Sequence, residues 1–213
     1  MPEAHTLLLF VLTAFLFAAS PGPNFVFVLT RSVSRGRADG LMAVLGIGVG
    51  ALLHTLAAVL GVSALLQSSA LAFTVLKTLG ALYLIYLGLI YLGIKTLLTY
   101  ETNEPAPRAV PARRAAFREG FVTMVLNPKV ALYFLAFLPQ FVDPTKSTTG
   151  QLLVLGSAQV VAEVSVLMAL AAIAGTLSGY LKQRPGLLRS QKYVMGGVYL
   201  LLGSVLALTR SGD

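Results

Sequence analysis

Cysteine and tryptophan are absent from the 213 residues, and charge is scarce, with only 11% of the chain Asp, Glu, Lys or Arg. The missing thiols exclude disulfides, thiolate metal sites and thiol catalysis. The scarcity of charge excludes a soluble globule, because soluble domains carry roughly 25% charged residues. No P-loop, HExxH, GxSxG, paired-carboxylate or Cys/His constellation occurs. ATP-driven chemistry by this chain alone is thereby excluded, and an enzyme is not expected; no cofactor or metal is called for. No Lys or Arg precedes Arg31. The start therefore lacks the basic region of a cleavable signal peptide, and the first apolar segment is expected to stay in the mature protein. The net charge of +8 comes with no nucleic-acid motif. In such a chain the place of the charge matters more than its sum.

What remains is apolar. Hydrophobic residues make up 56% of the chain and the mean hydropathy is +0.82. Leu7 to Leu29 contains no charged residue. Repeated uncharged runs of about 20 residues are the mark of membrane helices. The expected fold class is an all-α membrane protein of six spans, at 6–30, 40–66, 71–98, 117–142, 150–178 and 191–209. The polar stretch ETNEPAPRAVPARRA at 101–115 reads as a flexible linker. It divides a single transmembrane domain into a first three-helix repeat (1–99) and a second (116–213), with 100–115 as a cytoplasmic linker.

Basic residues set the expected orientation. Arg31, Arg35 and Arg37, then Lys95, Arg108, Arg113, Arg114 and Arg118, then Lys182, Arg184, Arg189 and Lys192 lie on one side. These are twelve of the 16, whereas Lys146 and Arg210 alone mark the other side. Both termini are thus expected outside the cytoplasm, in a multi-pass protein of the bacterial inner membrane.

Two breakers stand inside apolar runs. SPGPN at 20–24 interrupts the first span of the first half, and LNPK at 126–129 the first span of the second half. Proline removes a donor and clashes with the preceding turn, so Pro21, Pro23 and Pro128 are expected to break their helices. Irregular backbone at membrane depth persists only inside protein or beside a water-filled cavity. Three spans per half give the halves opposite orientations. Breaks at corresponding positions fit a 3+3 inverted repeat with a midplane binding site. Ser20-Pro21 and Asn127-Pro128 each read as an N-cap followed by a proline at the first helical position. Half-helices opening there would favour an anion such as a carboxylate. The plain alternative is a pair of kinks that only shape packing.

These motifs, the glycine-rich second span, KTLGALYLIYLG at 77–88 and REGFVTMVLNPKVALYFLAFLPQF at 118–141 together resemble the lysine/homoserine exporter family (LysE/RhtB). The resemblance covers essentially the whole chain. It implies an inner-membrane secondary exporter of amino acids or similar small zwitterions, driven by proton influx. It also implies a substrate site built from Ser20, Pro21, Gly22, Pro23 and Asn24 with Asn127, Pro128 and Lys129.

Ionisable groups within spans are functional candidates by default. Glu163 is the only deep carboxylate, and it is expected to take the substrate ammonium or a proton. His54 is the second proton-coupling candidate. Plain alternatives are an interhelical hydrogen bond for His54, snorkelling for Lys77, and a structural Lys129–Glu163 pair. Glycines 46, 48, 50 and 61, with 175 and 179, offer close-approach surfaces. Internal packing is favoured there over a homodimer seam. Tyr83, Tyr86 and Tyr91 share a helix face and are expected to pack rather than line a cavity. The expected partners are substrate, protons and lipid, with no nucleic acid. A divalent-metal transporter is the alternative, although one Glu and one His beside a Lys make a poor cation cage.

Overall fold

The computed structural model describes residues 2–68, 70–92, 112–143 and 145–176, with short helical pieces at 196–197, 200–204 and 207–208. The linker 101–111, the C-terminal residues 209–213 and most of the expected sixth span lie outside the described residues. So do Lys95, Gly179, and the side chains of Lys77 and Tyr91.

All regular structure among the described residues is helical. Helix α1 (Ala4–Ala19) is followed by α2 (Pro23–Arg35), and the two bend by 53° at the break. Helices α3 (Arg37–Ser68) and α4 (Ala70–Tyr91) complete the first half. Helix α5 (Ala112–Val125) leads to α6 (Pro128–Leu132), which runs on through a π-helical turn (Tyr133–Phe137) and a 3-10 turn (Leu138–Phe141). The bend at this second break is 46°. Pro139 has no N–H and crowds the carbonyl four residues earlier, which accounts for the change of helix type around it. Helix α7 (Thr148–Thr176) follows. By length and composition α3 and α7 can cross a membrane, and each bent pair counts as a further span if taken as one.

The packing is that of a protein in lipid. Helix α3 turns Leu45, Val49, Leu52, Leu53, Leu56 and Leu60 outward and buries Ala43, Val44, Ile47, Ala51 and Ala58. Large side chains face the solvent of the bilayer and small ones let the backbones approach. Gly46 lies against the backbone of Phe117 and Phe121, Gly50 against Met124, and Gly120 against the backbone of Ala43. Gly48 meets Val164 of α7. The expected internal packing thus holds for Gly46, Gly48 and Gly50. Gly61 is different, with no atom within 4 Å of a Cβ added there. Tyr83 is half-buried and Tyr86 exposed, their rings 6.4 Å apart, so Tyr86 lines no interior surface.

Span one extends further than expected. Helix α2 continues to Arg35, and Arg31 is buried rather than placed in a loop. Gly36 ends α2 at φ 92°, where a side chain would be strained, and admits the tight turn into α3. Arg31 pairs with Glu119 of α5 and lies over the Phe27 ring at 5.6 Å. At the opposite end, Lys146 pairs with Glu3 at 3.3 Å. There Asp143 accepts from the Thr145 hydroxyl and pairs with Lys146, which hold its carboxyl well below the usual range, at about 2.

Because α3 and α5 meet backbone to backbone, Gly46→Val or Gly120→Val should destabilise the bundle by about 1–3 kcal/mol. Gly61→Val serves as the matched control. Thermal unfolding in detergent reads both, and equal melting of all three variants would contradict this packing.

Candidate functional site

The two breaks meet. Ser20, Asn24, Asn127, Lys129 and Glu163 are all buried, none more than 6% exposed. Their local geometry follows from the prolines. A residue before proline avoids the helical region, and both Ser20 (ψ 125°) and Gly22 (φ −162°, ψ −175°) are extended. A helix starting at Pro21 would force Gly22, which precedes Pro23, into helical geometry. The second half-helix therefore starts at Pro23, with Gly22 as its N-cap and no capping side chain. This corrects the expectation that Ser20 is an N-cap. Ser20 instead caps the C-terminus of α1, its N–H bonded to the Phe17 carbonyl at 3.2 Å.

The second break has the expected form. Pro128 is the first helical residue, and the Asn127 side chain accepts from the Lys129 N–H at 3.1 Å. The Asn127 amide donates to Asn24 Oδ1 at 3.1 Å. Asn24 Nδ2 donates in turn to Glu163 Oε1 at 3.0 Å and approaches Met124 Sδ at 3.0 Å. One polar chain thus runs from the second break through the first to the carboxylate on α7.

Lys129 crosses in the other direction. Its Nζ donates to the carbonyls of Phe17 (3.2 Å) and Ser20 (3.1 Å) and to Ser20 Oγ. It also lies 4.3 Å from the centroid of the Phe17 ring. A cation here satisfies carbonyls that the break leaves without helical donors, at the negative end of the α1 dipole. Glu163 receives its hydrogen bond from Asn24 and meets Lys129 through the field between them. Both groups are enclosed, one basic and one acidic.

Of the other expected residues, Pro21 and Gly22 are buried at the first break, whereas Pro23 and Pro128 are exposed. The prolines shape the breaks, and the asparagines occupy the interior. His54 Nε2 is 3.0 Å from the Met124 carbonyl, and the ring stacks on Phe134 with centroids 5.8 Å apart. A carbonyl only accepts, so Nε2 carries the proton. Met124 also accepts from the Asn127 N–H at 3.2 Å, and His54 thus helps satisfy the end of α5. The cluster includes one residue that the sequence did not single out, Met124. No motif signals it, since only the fold places its sulfur beside Asn24.

Away from this centre, a cavity of about 340 Å³ is lined by Phe27, Arg118, Glu119, Val122 and Thr123, beside the Arg31 pair. The described residues contain no group of three or more His, Cys, Asp or Glu able to hold a metal ion.

Long apolar helices around a buried polar centre define a multi-pass membrane protein. The family described as LysE type translocator matches residues 15–210, and the chain belongs to that family. A membrane protein of Vibrio cholerae is 30% identical over 98% of this chain and 100% of its own. The homoserine/homoserine lactone efflux protein of Salmonella typhimurium is 27% identical, covering 94% and 95%. The leucine efflux protein of Salmonella choleraesuis is 33% identical over 66% of this chain and 65% of its own. No solved structure matches the chain.

Asn127→Ala removes the cap on Lys129 and the donor to Asn24 together. It should cost about 1–3 kcal/mol. Thermal unfolding in detergent measures this, and an unchanged melting temperature would mean the network does not hold the two breaks together.

Proposed function

We propose that the chain is a secondary exporter of an amino acid or similar small zwitterion across the bacterial inner membrane. The observation that carries this reading is the closed network in which Lys129 of one half caps the broken helix of the other while Asn24 holds Glu163. A zwitterion brings two opposite charges and can exchange them for the internal partners. Its ammonium replaces Asn24 at Glu163, and its carboxylate draws Lys129 from the α1 carbonyls. Net charge in the low-dielectric interior stays near zero throughout, which limits the desolvation cost. Ser20, Pro21, Gly22, Pro23, Asn24, Asn127, Pro128, Lys129 and Glu163 form the substrate site in this proposal. The two relatives named for efflux of amino-acid substrates support it. A divalent-metal transporter is not favoured, because the described residues hold no group of metal ligands and the Lys129 charge felt at Glu163 repels a dication.

The full reading is one domain with repeats at 1–99 and 116–213 joined by a cytoplasmic linker, six spans, and both termini outside. The pairing of Lys146 with Glu3 at one end and of Arg31 with Glu119 at the other supports the relative sidedness. Proton influx drives export through Glu163, which holds substrate ammonium or a proton but not both, with His54 as the second coupling candidate.

Four outcomes test this proposal. In proteoliposomes, an imposed pH gradient should drive uptake or release of labelled amino acids. Glu163→Gln should abolish that response while substrate exchange survives, and a parent-like response would move the coupling site elsewhere. Pro23→Ala with Pro128→Ala, combined with Pro21→Ala because Pro21 by itself still holds Ser20 extended, should let both helices run through and stop transport in a folded protein. A cytoplasm-dependent reporter fused after Asp213 should stay dark, and a bright fusion would overturn the topology.

A further inference from the structure

One helical turn beyond the ionic centre lies a second set of buried polar groups. Tyr133 follows Lys129 by four residues, and Gln159 precedes Glu163 by four on α7. Each is therefore on the same helix face as its charged neighbour, about 6 Å along the axis. Both displacements point towards the end of the bundle that carries Glu3 and Lys146. In the chain they lead from Lys129 towards Phe141, and from Glu163 back towards Thr148.

These groups are unusual in being unsatisfied. Tyr133 is 0% exposed and Gln159 2% exposed. Neither the Tyr133 hydroxyl nor Gln159 Oε1 has a hydrogen-bond partner among the described residues. Thr13 is the polar neighbour of that hydroxyl; it gives its own hydrogen to the Phe10 carbonyl at 2.8 Å and can meet Tyr133 only as an acceptor, outside hydrogen-bond geometry in this structure. The Tyr133 ring is held by Phe17 at 4.0 Å and Phe137 at 5.0 Å between centroids, so its hydroxyl is fixed in place. A buried donor and a buried acceptor left unpaired are costly, and a folded protein that keeps both calls for a group that meets them. A site built to bond a substrate hydroxyl or amide rejects the analogue that lacks it far more strongly than an apolar pocket rejects a missing methylene.

We propose that Tyr133 and Gln159 read the substrate side chain, and that the exported amino acid is neutral with a hydroxyl or carboxamide at its tip. This rests on the export reading above. The ammonium and carboxylate engage Glu163 and Lys129. The side chain extends one turn further, where its tip accepts from the Tyr133 hydroxyl and donates to Gln159 Oε1. A hydroxyl or a carboxamide can do both, whereas an aliphatic tip can do neither.

The test compares pairs of nearly equal shape, homoserine with norvaline and asparagine with leucine. Dissociation constants are measured calorimetrically on the purified full chain in detergent, so that a variant able to bind but not transport still reports. The polar member of at least one pair should bind roughly tenfold or more tightly. In Tyr133→Phe and in Gln159→Leu that ratio should fall to within about twofold. Ratios near one in the parent protein, or unchanged ratios in both variants, overturn the assignment while leaving amino-acid export standing. Binding of none of the four, together with no transport of any labelled amino acid, would instead remove the export reading and this inference with it.

Discussion

The burial of the Lys129 ammonium at the C-terminal end of α1 is the constraint on which the rest of the centre depends. A helix broken at membrane depth leaves carbonyls with no donor, and lipid offers none. The Phe17 carbonyl loses its α-helical donor at Pro21 and accepts from the Ser20 N–H and hydroxyl, and Lys129 adds a donor from the other half of the chain to it and to the Ser20 carbonyl. The same act places a cation inside the bundle, which is tolerable only with a negative charge nearby. Glu163 is that charge, and Asn24 and Asn127 fix where it stands. The break, the lysine, the asparagines and the glutamate are therefore one structural unit. Removing any member leaves another either unsatisfied or uncompensated.

This dependence gives the two breaks different tasks although they look alike in sequence. The second is self-contained, with Asn127 capping the helix that Pro128 opens. The first has no side-chain cap on α2, and α1 ends on carbonyls served from across the bundle. One break completes the other. In the proposed export reading, a substrate that competes for Lys129 acts on the bend between α1 and α2, which would couple occupancy of the centre to the angle between two half-helices.

The sequence revealed the helical class, the breaks and the ionisable residues because each rests on a strong local rule. Uncharged runs announce helices in lipid, proline announces interruption, and a charge inside an apolar run announces function. The pairing of Asn24 with Glu163 was not legible, because residues 139 positions apart meet only through the fold. Ser20 was misjudged for a local reason. Either proline of the motif could open the helix, and the restriction that Pro23 places on Gly22 decides between them. The place of Arg31 in a basic cluster just past the expected span 6–30 sets it outside the span. In the fold it turns inward to Glu119, while Arg35 ends α2 and Arg37 opens α3 on either side of Gly36. Tyr133 and Gln159 gave no signal because a tyrosine or glutamine among apolar neighbours is ordinary, and only burial without partners marks them.

The two ends of the bundle are closed by different physics. At the Arg31 end, an ion pair joins α2 to α5 with the arginine side chain 9% exposed and the glutamate 25%, and a cavity adjoins it. At the Lys146 end the ion pair is largely exposed, 38% and 59%, and screening by water leaves it weak. Closure on that side falls instead to the rings of Phe10, Phe17, Tyr133, Phe137 and Phe141, successive centroids 4.0 to 6.4 Å apart. Dispersion between rings holds over a short range and yields only when whole helices separate, whereas an ion pair can re-form with other partners as a side chain swings. In the proposed export cycle, opening towards Arg31 would therefore require side-chain exchange, and opening towards Lys146 would require α1 to part from the π-helical turn. That second movement would also disturb Lys129, which ties the end of α1 to α6 one turn below.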